Sequence, residues 1–136
     1  MTGLAQTFAD THSGTVGSNR APSGWTVIAS PDYSSTTVNG IDPLAVFWAA
    51  TLPTSPSGAT TFPVTRSSST GEGIKQTITD LTSGKEYEVE VSYMYPTATG
   101  NRFERFQAPP TPSAYVDIGG NKTPLPTGSE NVWYTT

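Results

Sequence analysis

A chain of 136 residues is one domain's worth, long enough for a single two-layer core and too short for two. With 11 acids against 7 bases, a net charge of −4 and no cysteine, it has no basic stripe for nucleic acid, no thiolate metal site and no disulfide framework. Hydrophobic residues make up 34% and charged ones 13%, alongside 13 glycines and 12 prolines, a balance that points to short strands, many turns and almost no helix.

Residues 1–24 hold one short apolar patch, Leu4 to Phe8, and then a Ser/Thr/Gly/Asn stretch that ends in Pro22-Ser-Gly24. A first strand or an extended N-terminal arm with a long loop is expected there, ahead of a β-sandwich domain over 25–136. Trp25 to Ile28 reads as a strand stopped by Ser30-Pro31-Asp32, a turn initiator. Leu44 to Ala50, the most hydrophobic run of the chain, lies between Pro43 and Pro53 and suits a strand buried on both faces. Prolines at 53, 56 and 63 with Gly58 make the next stretch a loop, and Phe62 to Arg66 a short edge strand.

Gly71 to Tyr95 carries the clearest periodicity. Ile74, Gln76 and Ile78 alternate with Lys75, Thr77 and Thr79; after a turn, Tyr87, Val89, Val91, Tyr93 and Tyr95 alternate with Glu86, Glu88, Glu90, Ser92 and Met94. Two strands are predicted, joined by a structural corner of Leu81, Gly84 and Tyr87, in which Gly84 takes a positive φ, the tyrosine hydroxyl reaches upstream backbone, and the two flanking side chains close into a core. Thr97 to Asn101 is a turn, Ala108 to Pro112 an extended polyproline-like excursion, Ala114 to Ile118 a strand ended by Gly119-Gly120-Asn121, and Val132-Trp133-Tyr134 the last apolar segment. No apolar run is long enough to span a membrane, and the opening residues lack the charged start and hydrophobic core of a signal peptide, so with Met1 as the natural start no export by that route is expected.

Ala21-Pro-Ser-Gly-Trp25, Ser30-Pro-Asp32, Ser55-Pro-Ser-Gly58, Gly71-Glu-Gly-Ile-Lys-Gln76, Leu81-Thr-Ser-Gly84-Lys-Glu-Tyr87 and Ala114 to Gly119 ahead of Trp133 occur in the order in which similar pieces occur in galactose-binding-like jelly rolls, the group that includes many carbohydrate-binding modules. The chain resembles that group over about residues 20 to 136. The resemblance implies an all-β, two-sheet antiparallel jelly-roll sandwich with long Pro/Gly/Ser-rich loops. It also implies a structural calcium, but Phe8-Ala9-Asp10 only approximates the acidic first-strand motif, so no cofactor is expected. Members of the group continue through further strands beyond the last Trp, whereas this sequence ends at Thr136; the expectation is a fragment, or a sheet edge completed by a neighbouring subunit. The corner also resembles that of fibronectin type III domains, though the stretch before it is too long for that compact fold.

No set of acid, base and nucleophile emerges. His12 is the single histidine and sits in a polar loop; Glu86, Glu88 and Glu90 alternate as a wet strand face would; Asp10, Asp32, Asp42 and Asp117 are dispersed. The glycines at 71, 73, 119 and 120 lack the Lys-Ser/Thr partner of a phosphate cradle. Sugars pack their C–H faces on exposed rings beside polar groups, which makes Trp48, Tyr95, Phe103 and Trp133, with Glu88 and Glu90, the candidate glycan contacts; Trp25, Phe47 and Tyr87 read as core. The expected function is therefore a non-catalytic binding or assembly module. A bacteriophage virion component (fibre, tail or capsid decoration), assembled in the host cytoplasm against copies of itself or neighbouring subunits, fits the absence of cysteine and of an export signal. The alternative is a glycan-binding module of a secreted or surface polysaccharide-degrading enzyme.

Overall fold

The computed structural model describes residues 11, 13–36, 47–48, 51–65, 71–96, 98–99 and 114–136. They form strands and turns with no helix: β1 (Thr26–Ile28), β2 (Asp32–Ser35), β3 (Phe47–Trp48), β4 (Thr61–Val64), β5 (Gly73–Lys75), β6 (Ser92–Met94), β7 (Ala98–Thr99), β8 (Tyr115–Ile118), β9 (Asn121–Pro124) and β10 (Trp133–Thr135). Among the described residues the strands pair in five antiparallel two-stranded ladders, β1 with β5, β2 with β4, β3 with β7, β6 with β10 and β8 with β9, beside an isolated antiparallel bridge from Gly17 to Tyr33 and a parallel one from Tyr95 to Glu130. The fold class is thus all-β. The chain divides into two compact units, one of residues 1–35 and 61–89, the other of 36–60 and 90–136.

In the first unit, β1 is a β-branched run that ends where Ala29 takes a left-handed φ of 59°. Pro31 is buried and Asp32 opens β2, so the Ser-Pro-Asp element begins a strand as well as ending one. Tyr33 is the hub. Its side chain is fully buried, and its hydroxyl lies 2.9 Å from Thr61 Oγ1 on β4. Its backbone exchanges two 2.9 Å hydrogen bonds with Gly17 on the flank away from β4. Arg20 N–H to the Pro31 carbonyl at 2.8 Å and Asn19 N–H to Asp32 Oδ1 at 3.2 Å continue that flank. Pro63 stands opposite Tyr33 in the β2–β4 register, in the edge position that a residue without an N–H requires. Phe62 is buried beside them.

The Gly71–Tyr95 expectation needs correction. Only Gly73–Lys75 and Ser92–Met94 join ladders among the described residues, and residues 79–88 are all exposed. Alternation specifies which side chains share a face, but a strand also needs a ladder for its backbone, and residues 77–89 belong to none among the described residues. The corner has the predicted chemistry: Gly84 takes φ 75°, Lys85 N–H bonds the Thr82 carbonyl at 3.2 Å, and Tyr87 Oη accepts the Thr82 N–H at 2.8 Å. It does not close over a core, since Leu81 and Tyr87 remain 48% and 43% exposed.

In the second unit, Thr36 N–H reaches the Thr60 carbonyl at 2.9 Å, and Leu52 N–H reaches the Thr36 carbonyl at 3.0 Å. Leu52, Thr36 and Ser55 are buried there. Ser55-Pro-Ser-Gly58 forms a tight turn in which Ser55 Oγ accepts the Ala59 N–H at 3.1 Å and Gly58 takes φ 81°. β8 and β9 make a hairpin over Gly119 and Gly120, both at positive φ as a two-residue primed turn demands, with Asp117 Oδ1 accepting the Gly120 N–H at 2.8 Å. Phe47 and Trp48 contribute backbone to the β3–β7 ladder, in which Ala98 and Thr99 pair as a strand where a turn is expected; the rest of Leu44 to Ala50, residues 1–10 and His12 of the expected N-terminal arm and loop, Asp42, the rest of 97 to 101, Phe103 and Ala108 to Pro112 lie outside the described residues.

Candidate functional site

Among the described residues, the β6–β10 ribbon gathers Tyr93, Tyr134 and Trp133. Its register sets Tyr93 opposite Tyr134 and Met94 opposite Trp133, so the tyrosines occupy one face and Met94, Trp133, Ser92 and Thr135 the other. Tyr95, two residues beyond Tyr93, joins the tyrosine face. The rings of Tyr93 and Tyr134 stack with centroids 5.7 Å apart and planes at 28°, and Tyr95 meets Tyr93 edge-on at 5.8 Å and 74°. Beyond the strands, Val91 and Thr136 exchange two backbone hydrogen bonds, and Asn131 N–H binds the Tyr95 carbonyl at 2.9 Å.

Two hydroxyls of this face tie it to the segment before β10. Tyr134 Oη accepts the Ser129 N–H at 2.6 Å, and Tyr95 Oη donates to the Pro126 carbonyl at 3.2 Å. Ser129 and Tyr134 have the same five-residue spacing as Thr82 and Tyr87 at the corner, and the same backbone-to-phenol bond. On the opposite face, Trp133 Nε1 donates to the Pro53 carbonyl at 2.9 Å, which anchors the ribbon to the proline-rich loop, and Ser92 Oγ and Thr135 Oγ1 lie 3.1 Å apart.

The structure thus brings Tyr95 and Trp133 onto one ribbon but on opposite faces. Glu88 and Glu90 are exposed; side-chain surroundings of Trp48 and Phe103 are outside the described residues. Tyr93 and Tyr134 are the site residues that sequence reasoning missed. The Ser129-to-Tyr134 spacing, which repeats that of the corner, was the available signal. Among the described residues no group of three or more His, Asp or Glu side chains converges as a metal site would, and no helix is long and apolar enough to cross a membrane. No known protein family, curated protein or solved structure matches the chain.

Partial burial, with a smaller contribution from Tyr93, raises the pKa of Tyr95 above the ordinary phenol value. A phenol is neutral when protonated, so the folded state favours the proton more than the unfolded chain does. This contribution to stability is complete below the ordinary tyrosine pKa of about 10 and is lost as pH rises through the higher folded value. A spectrophotometric titration is expected to lose a late-ionising component in Tyr95→Phe; an unchanged titration in that variant would refute the assignment.

Proposed function

We propose that this chain is a non-catalytic assembly module, a two-sheet jelly-roll component of a bacteriophage virion, built to be completed by neighbouring copies or subunits. The observation that carries the reading is the small size of its sheets: every ladder among the described residues has two strands, with residues 17–20 bonded along the flank of β2 away from β4 and no described strand on the outer edge of β8. An isolated two-stranded ribbon is marginal in water, and open edges are templates for further strands. The apolar surface agrees. Ile28, Leu81, Tyr87, Tyr115, Ile118 and Val132 are each more than 40% exposed, whereas Tyr33, Leu52 and Phe62 are the buried hydrophobics among the described residues. The virion attribution rests on the jelly-roll resemblance and the cysteine-free composition.

The aromatic rings favour assembly over sugar binding, because Tyr93 and Tyr134 spend ring surface on each other. The partly exposed tyrosine face nevertheless supports polysaccharide binding as a second reading. Light scattering on the purified chain is expected to give at least twice its 14.3 kDa mass. A folded monomer that gives a glycan-array signal, lost in a folded Tyr93→Ala variant, would replace the assembly reading with the second.

A further inference from the structure

The hairpin of β8 and β9 has one edge closed to pairing and one open. Leu125 N–H bonds the Ala114 carbonyl at 2.9 Å, which makes Ala114 and Leu125 a hydrogen-bonded pair and fixes the phase of the ladder. By alternation, Val116 with Thr123 and Ile118 with Asn121 bond inward, while the backbone groups of Tyr115, Asp117, Lys122 and Pro124 point away from the hairpin. On β9 the outward residues are a lysine and a proline. Pro124 has no N–H to offer, and both residue types are edge blockers. On β8 the outward groups belong to Tyr115 and Asp117, each with a free-standing N–H and C=O, and no described strand pairs there. Tyr115 and Ile118 on this strand are 50% and 56% exposed.

We propose that the open edge of β8 pairs antiparallel with β8 of a second copy of this chain, which deepens the assembly reading above and rests on it. The strand is self-complementary about Val116. Centring a two-fold axis there sets Tyr115 opposite Asp117 of the second copy and Asp117 opposite its Tyr115, so the outward-pointing residues fall into hydrogen-bonded pairs. Val116 then meets Val116 in the close non-hydrogen-bonded position, where β-branched side chains pack well. This register also keeps the two Asp117 carboxylates apart; centring one residue further along would place them face to face. The product is a four-stranded sheet in the order β9, β8, β8, β9, whose outer edges carry Lys122 and Pro124 and stop further addition. An isologous dimer contact is the result.

The absence of cysteine makes the test clean. Opposed residues in the close position lie about 4.5 Å apart at Cα, within the roughly 4.4–6.8 Å span of a disulfide. Val116→Cys is therefore expected to give at least about ten-fold more disulfide-linked dimer than Tyr115→Cys under mild oxidation, since Tyr115 is displaced from its own counterpart by two residues. In parallel, Tyr115→Pro deletes an outward N–H on β8 and Lys122→Pro one on β9, without touching the inward bonds of the hairpin. Light scattering should show the first variant smaller than the wild type and the second unchanged. A monomeric wild-type chain would overturn the assembly reading and this inference together. An oligomeric wild type in which Val116→Cys links no better than Tyr115→Cys, or in which Tyr115→Pro keeps its size, would overturn the β8 pairing alone.

Discussion

Tyr33→Ala is expected to destabilise the chain by about 3–5 kcal/mol, the cost of emptying a large buried aromatic site, against a typical total of about 5–15 kcal/mol for a domain. Three features raise the cost at this position. The ring is fully buried, so the whole transfer term is lost. Backbone lies against it and cannot collapse freely: a Cβ on Gly14 would sit 3.5 Å from Tyr33 Cε1, and Pro22 and Pro31 are themselves buried. Its hydroxyl meets Thr61 Oγ1 across the β2–β4 ladder. Tyr33→Phe keeps the ring and should cost only about 0.5–1.5 kcal/mol, the net value of one hydrogen bond. Urea titrations of both variants decide the matter. A loss below that of Tyr33→Phe in the alanine variant would mean that the ring is not the centre of this unit.

That centre was hard to read in the sequence for a physical reason. Asp-Tyr-Ser-Ser has no apolar alternation, and a Ser-Pro-Asp lead-in signals a turn, yet Ser34 is buried within β2 beside Tyr33. Polar strands are legible only once their partners are known. Elsewhere, β-branched and aromatic runs gave the strands nearly where they occur: β1 within Trp25 to Ile28, β4 within one residue of its expected start, β8 within Ala114 to Ile118 and β10 one residue beyond Val132 to Tyr134. β9 was missed because Asn-Lys-Thr-Pro is polar throughout. The two glycines before it, following an alternating run, were the hairpin signal.

The corner at Leu81 to Tyr87 shows where local chemistry and tertiary burial part company. Turn, positive φ and phenol-to-backbone bond all follow from residues within six positions of one another, so they are encoded locally. Burial of Leu81 and Tyr87 needs an opposing layer that no local pattern specifies, and both side chains stay exposed. The same division holds for the candidate site. Tyr95 and Trp133 stood out as aromatics near strand ends, but the β6–β10 register, which couples residues about forty positions apart, decides that they face opposite ways and that Tyr93 and Tyr134 share the face of Tyr95.

Gly128→Val should cost about 1–3 kcal/mol, the range for overpacking a filled site, and should disturb the whole tyrosine face. A Cβ built on Gly128 would overlap Cε2, Cζ and the hydroxyl of Tyr134. The ring cannot simply swing clear, because its hydroxyl holds the Ser129 N–H, its face stacks on Tyr93, and its backbone is in register with β6. Near-UV circular dichroism is expected to lose intensity along with stability. The decisive comparison uses the smaller Gly128→Ala in two backgrounds. In the wild type it should destabilise; in Tyr134→Ala, where nothing is left to overlap, it should be neutral or stabilising by about 0.4–1 kcal/mol, since alanine restricts the unfolded chain more than glycine does. Equal effects in the two backgrounds would show that the glycine is there for reasons other than this ring. The coupling itself would show that the tyrosine face is a packed unit, organised by the close approach of a phenol to a bare backbone.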